Sequence, residues 1–205
     1  MQITIVGTGG MARGIATRAL AGGHDVTLVG TDRAKAEALA GELGGSATAA
    51  ESAGGDVVVL AVPYGAAADA LATHRDSIGD AVVVDITNPL DFSTFQPLTL
   101  DAGSGAQEIA ASAPDPSKVV KAFNTTFAGT LVDGTVAGQP LDVFIAGDDG
   151  DAKAKVKQLV EDGGMRAVDA GPLARARELE ALGYLHMALQ EPLGTGFGSA
   201  VKVVA

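Results

Sequence analysis

The chain has 205 residues, 47% of them hydrophobic, which is the length of one domain with ample material for a core. It has no cysteine, which excludes disulfide frameworks, thiolate zinc sites and iron–sulfur clusters. A formal net charge of -11 repels phosphate backbones and anionic lipid, so neither nucleic acid nor membrane is an expected partner. No basic leader opens the chain and no apolar run approaches the roughly 18 residues that span a bilayer, so a cytoplasmic protein is expected.

The β-branched run 3–6 predicts a strand buried on both faces, and the 3.6-residue period of 11–21 predicts a helix. Between them lies Gly7-Thr8-Gly9-Gly10-Met11-Ala12, a G-x-G-x-x-A turn. Gly7 permits the tight turn, Gly9 lets backbone approach a pyrophosphate, and the small Ala12 lets helix pack on strand. The first helical amides and the positive end of the dipole then favour a dinucleotide there.

The next strand, 26–29, ends in Gly30-Thr31-Asp32-Arg33 before helix 34–43. An NAD site presents an acid at the strand end, whereas Gly30 leaves room for a 2′-phosphate, with Thr31 as hydroxyl donor, Arg33 as a charged partner and Lys35 adding charge. NADP is the favoured reading, although a shift of two residues makes Asp32 a ribose-binding acid. Strand 57–62 runs into Pro63 and Tyr64, placing Val62 and Pro63 at the crevice, with Tyr64 able to lie against the cofactor. Helix 66–74 follows, then strand 81–86, past which Thr87 and Asn88 offer a hydroxyl and an amide to a nicotinamide carboxamide or ribose.

The stretch 88–105 is the longest candidate loop. After helix 107–113, strand 119–122 leads into Asn124-Thr125-Thr126-Phe127, small polar groups between apolar ones. Strand 142–146, helix 151–162 and strand 165–169 precede a long helical pattern from 172 to about 190. Gly194-Thr-Gly196-Phe197-Gly198 reads as a flexible turn able to reach over a substrate. Strand alternating with helix predicts an α/β fold: a doubly wound, mostly parallel Rossmann-type sheet, one domain over 1–205, with 172–205 as a C-terminal helical extension and tail.

Three polar strand ends meet at one crevice, yet none carries an acid–base pair, so no catalytic side chain is expected. Hydride transfer suits such a site because the coenzymes carry the chemistry and the protein orients two rings. His24, His74 and His186 lack metal-ligand spacing, and no metal site is expected. No G-x-S-x-G or H-E-x-x-H motif appears.

Gly7-Thr-Gly9-Gly-Met-Ala12, Ala61-Val-Pro63, Val84-Asp-Ile-Thr-Asn-Pro89, Val119-Val-Lys-Ala-Phe-Asn124-Thr, Val143-Phe-Ile-Ala-Gly147 and Asp169-Ala-Gly-Pro172-Leu, in this order, carry a likeness over nearly the whole chain. Together they resemble the F420-dependent NADP oxidoreductase family, whose fold recurs in the cytosolic domain of STEAP-type metalloreductases. The resemblance implies hydride transfer between NADPH and the deazaflavin coenzyme F420, commonly in a homo-oligomer such as a homodimer. By position it puts Thr8 to Ala12 on pyrophosphate, Thr31 and Arg33 on the 2′-phosphate, and Val62 and Pro63 beside the nicotinamide. Asn124, Thr125, Thr126, Phe127 and Ala128 fall at the deazaflavin pocket, with Phe197 reaching over it. The archaeal members carry His at the place of Asn124 and two basic residues at Asp32-Arg33. Asn-Thr at this point is also similar to the flavin-using metalloreductase branch. A flavin (FMN or FAD) reductase and a non-catalytic NADP-binding redox sensor therefore stand as alternatives. An imine or pyrroline-carboxylate reductase would need a larger helical domain than the residues after Pro172 supply.

Overall fold

A computed structural model describes residues 1–91, 93–94, 96–114 and 118–204. The chain begins with β1 (Gln2–Val6), α1 (Gly10–Ala21), β2 (Asp25–Val29), α2 (Arg33–Leu43), β3 (Ala47–Ala50), β4 (Val57–Leu60), α3 (Tyr64–Ile78) and β5 (Val82–Asp85). A small hairpin, β6 (Leu90–Asp91) with β7 (Gln96–Pro97), occupies part of the candidate loop, of which positions 92 and 95 lie outside the described residues. Then come α4 (Gly105–Ser112), β8 (Lys118–Lys121), α5 (Ala128–Asp133) and a second hairpin, β9 (Thr135–Val136) with β10 (Gln139–Pro140). The chain closes with β11 (Asp142–Gly147), α6 (Gly150–Asp162), β12 (Arg166–Gly171), a 3-10 turn at Leu173–Arg175, α7 (Ala176–Ala188) and α8 (Gln190–Leu193).

The main sheet has eight strands in the order β12-β11-β8-β5-β4-β1-β2-β3. Every neighbouring pair is parallel except β8 and β11, which are antiparallel. Alternate side chains of a strand face opposite sides. Accordingly Val57 and Val59 of β4 pack with Ile15 and Ala19 of α1, Leu39 of α2 and Val156 of α6, while Val58 and Leu60 pack with Leu71 and Ile78 of α3 and Ile109 of α4. All four β4 residues are fully buried, which is why its hydrophobic run is unbroken.

Besides the two hairpins, three features differ from the sequence expectation. β3, with the sequence ATAA, is an edge strand built from residues of little intrinsic β preference, and pairing with β2 overrides that preference. α5 is too short for its period to show. β11 and β12 run opposite to the other six strands, so α7, which follows them, runs toward the carboxyl edge of the parallel strands. Its contacts trace that course: Leu179 O accepts from Asn124 Nδ2 just beyond β8, and Met187, two turns later, lines the crevice.

Candidate functional site

The carboxyl ends of the parallel strands open onto two adjoining cavities that share Gly9, Ala61, Val62 and Pro63. One, of about 470 Å³, runs from Gly7 and Thr8 past Gly30 and Thr31 at the end of β2 to Ala66, Ala70 and His74 on α3. The other, of about 350 Å³, is walled by Gly10, Met11, Tyr64, Ile86, Thr87, Asn88, Asn124, Thr126, Phe127, Ala128 and Met187.

Gly7 has φ +130°, and a Cβ there would lie 2.1 Å from the Ala61 carbonyl oxygen, so only glycine fits between the β1 and β4 ends. At Gly9 a Cβ would meet nothing within 4 Å, and no side chain caps the α1 N-terminus, leaving that surface and the first-turn amides open to an anion. This is the shape a pyrophosphate cradle requires. Ala12 is fully buried behind it and sets the helix–strand distance without touching the cavity.

At the edge expected to hold a 2′-phosphate, Thr31 lines the cavity and Arg33 does not. Arg33 is engaged by Glu37 at 2.7 Å and by Glu51 at 2.6 Å. Asp32 is the N-cap of α2, accepting from Lys35 N, and its carboxylate also lies 3.6 Å from Lys35 Nζ. A carboxylate that caps its own helix has little freedom to take a ribose.

On the other side, the chain leaves β5 and β8 through two locked turns. Asp85 Oδ1 accepts from Thr87 N at 2.8 Å, and Thr87 O accepts from Lys121 Nζ at 2.5 Å. Phe123 holds a left-handed backbone (φ +61°) with its ring buried, which turns Asn124 toward α7 and Asn88. Asn124 Nδ2 donates to Asn88 Oδ1 at 2.9 Å and to Leu179 O at 2.8 Å, while Asn88 Nδ2 donates to Asn124 O at 2.8 Å. Gly183 permits this clasp, because a Cβ there would come within 2.8 Å of Asn88 Oδ1.

Two polar atoms remain over. Thr87 Oγ1 and Asn124 Oδ1 are buried without a hydrogen-bond partner among the described residues, in side chains only 4% and 5% exposed, and both residues line the smaller cavity. A buried oxygen left without a partner calls for one, such as an ordered water or a ligand. The rest of the wall is largely apolar, and among the described residues no Lys, Arg, His, Asp or Glu lines it.

Thr125 and Phe197 lie outside this cavity and support its wall. Thr125 O accepts from His186 Nδ1, and because a carbonyl can only accept, Nδ1 carries the proton and Nε2 accepts from Ser199 Oγ at 2.8 Å. Burial pushes the His186 pKa down, keeping the ring neutral, and the hydrogen bond to Thr125 only partly opposes that. The ring stacks on Phe127 at 4.3 Å between centroids, and Phe127 meets Phe197 edge-on at 5.0 Å. The glycine-rich turn expected to be flexible is thus tied down through Ser199, Gln190 and Thr195.

Sequence reasoning missed Glu108, Lys121 and Glu180. Tyr64 Oη donates a short hydrogen bond to Glu108, and burial, then Glu108, pushes the Tyr64 pKa up. Lys121 Nζ lies 2.7 Å from Asp85 Oδ2 and 2.9 Å from Glu180 Oε1, and all three side chains are buried. Glu180 also accepts from Gly105 N and Ala106 N at the start of α4. A lysine inside a β-branched strand was the available signal, since an unpaired buried ammonium is not tolerated. Among the described residues no cluster of His, Cys, Asp or Glu is placed to hold a metal ion, and no helix is long and apolar enough to cross a membrane.

Comparison with known proteins agrees with this architecture. Residues 2–89 match the family described as NADP oxidoreductase, coenzyme F420-dependent. The F420-dependent NADP reductase of Methanothermobacter thermautotrophicus is 31% identical, over 89% of this chain and 86% of that protein. Metalloreductase STEAP3 of Rattus norvegicus is 29% identical over 88% of this chain, which spans 36% of that longer protein. The solved structure of a candidate F420-dependent NADP reductase from Arthrobacter sp. FB24 superimposes with a TM-score of 0.84 at 32% identity, covering 99% of both chains. With a glycine cradle, a two-part crevice and nearly full-length likeness in place, the chain belongs to the F420-dependent NADP reductase family of oxidoreductases.

Proposed function

We propose that the protein transfers a hydride between NADPH and coenzyme F420, the larger cavity taking the adenosine half of NADPH and the smaller one holding nicotinamide and deazaflavin face to face. The observation that carries this reading is the pair of orphaned oxygens, Thr87 Oγ1 and Asn124 Oδ1, in an apolar wall without charged side chains. Asn124 Oδ1 accepts a ring or carboxamide N–H, while the Thr87 hydroxyl donates or accepts as the ligand requires. Gly7, Thr8, Gly9, Gly10, Met11 and Ala12 form the pyrophosphate turn, and Val62, Pro63, Thr87 and Asn88 flank the nicotinamide. Asn124, Thr126, Phe127 and Ala128 form the acceptor side, backed by Thr125 and Phe197.

Thr31 and Arg33 bind the 2′-phosphate, assisted by Lys35, once Arg33 exchanges its two carboxylate partners for the phosphate. The enzyme acts as a cytoplasmic homodimer, a reading supported by exposed Leu185, Leu189 and Leu193 at helical spacing on α7 and α8. No side chain need shuttle a proton: the nicotinamide yields a proton with two electrons, the acceptor ring takes them, and water supplies the balancing proton.

The test is an anaerobic mixture of protein and NADPH with oxidised F420, FMN or FAD, followed by acceptor absorbance. Bleaching of F420 alone is expected. Bleaching of FMN or FAD alone would reassign the acceptor, and no bleaching with any of them would leave a nucleotide-binding module.

A further inference from the structure

Around the smaller cavity the charges do not balance. Behind the Thr87–Asn88 turn one ammonium, Lys121, faces two carboxylates, Asp85 and Glu180. A third carboxylate, Glu108, receives the hydroxyl of Tyr64, whose ring forms part of the wall. The amides of Gly105 and Ala106 offset part of this charge but are spent on Glu180 itself. Among the described residues no cation lines the cavity to offset the remainder.

We propose that this buried excess of negative charge makes Glu180, with Asp85 and Glu108, a set of tuning residues that favour the oxidised, cationic nicotinamide over the reduced, neutral one. The proposal rests on the reading of the cavity as a nicotinamide site. When hydride leaves the reduced ring, two electrons and a proton depart to the acceptor and the ring is left with one positive charge. A fixed negative potential behind Thr87 lowers the energy of that product and of the transition state leading to it. Because Asp85 and Glu180 sit in a low-dielectric interior, their field reaches the ring with little screening by salt. The same field acts on Tyr64, whose ionisation is opposed by burial, by Glu108 and also by Glu180 and Asp85. A cluster serving only to join α4, α7 and β8 could have been neutral overall. This one holds more acid than base.

The experiment measures the dissociation constants of NADP+ and NADPH by calorimetry for the protein, for Glu180→Gln and for Glu108→Gln. The second position is half-buried on α4, which keeps the test open should the first variant fail to fold. The expected result is a rise in the ratio Kd(NADP+)/Kd(NADPH) of about tenfold for Glu180→Gln, the size of one charge acting over roughly 10 Å at an effective dielectric of about 20. A smaller rise is expected for Glu108→Gln, and the rise for the buried Glu180 should persist at high salt. A purely structural role weakens both nucleotides by the same factor, and an unchanged ratio in the folded variants overturns the proposal. If the unaltered protein binds neither nucleotide, the nicotinamide reading itself falls and the tuning role falls with it.

Discussion

The two halves of the crevice are built from different materials. The amino-terminal side, around Gly7, Gly9 and Pro63, is shaped almost wholly by backbone: a strand end, a helix end and the close approach of Gly7 to Ala61. The carboxyl-terminal side, around Thr87, Asn124 and α7, is held by side chains reaching across the chain, such as Lys121 to Glu180 and Asn124 to Leu179. A backbone device is written in consecutive residues and recognises what dinucleotides share. A side-chain device is assembled from distant residues, so it can be altered piece by piece and suits the variable partner.

Substitutions sharpen that contrast. Lys121→Met leaves two buried carboxylates without their cation, and a loss of about 3–5 kcal/mol in denaturant unfolding is expected. A loss below 1 kcal/mol would show that the carboxylates find other partners. Gly7→Ala introduces one methyl group against the Ala61 carbonyl at a positive φ, and about 3 kcal/mol of destabilisation is expected, together with loss of nucleotide binding. Retention of full NADPH affinity would disprove the backbone account of that side.

Acid tests how the start of β11 and the C-terminal tail are held together. Burial pushes the Asp142 carboxyl up, but hydrogen bonds from Arg166, Val203 N and Lys202 outweigh it and hold its pKa at about 2, below its ordinary 3.8. A depressed folded-state pKa means stability fully present above pH ~4 and lost as pH falls through about 2. The loss amounts to about 2 kcal/mol. Thermal melts of Asp142→Asn should show a flatter pH dependence in that window; an unchanged slope would mean that other carboxylates dominate. The smallest effect belongs to the exposed edge. Arg33→Ala should weaken NADPH binding about threefold to tenfold and leave NADH unaffected, because the arginine must first give up Glu37 and Glu51. Equal loss for both nucleotides would place the phosphate elsewhere.

The same division explains what could be read from the sequence. Runs such as Val57–Leu60 announce a buried strand because both faces are covered, and the glycine turn is legible because its parts are adjacent. The reversal of β11 left no local trace, since a buried strand has the same composition in either direction. Lys121 and Glu180 are 59 residues apart, and only the folded chain shows that they meet. Asn88, Asn124 and Thr87 were identified as site residues from their strand-end positions. That two of them keep an oxygen unpaired among the described residues depends on which of their other atoms the fold has already engaged.

The antiparallel joint between β8 and β11 has an architectural consequence. After a parallel strand the next helix starts at the crevice and runs away from it, as α3 does from Tyr64. After a reversed pair the helix starts at the far edge and arrives, so that α7 delivers Met187 to the wall of the smaller cavity. Chain beyond Ala188 then folds back from that cavity, where Ser199 and Gln190 bond each other and Ser199 meets His186, to the start of β11, where Lys202 and Val203 bind Asp142. The joint works as a socket: one reversal of topology brings a C-terminal helix to the crevice that the parallel strands open.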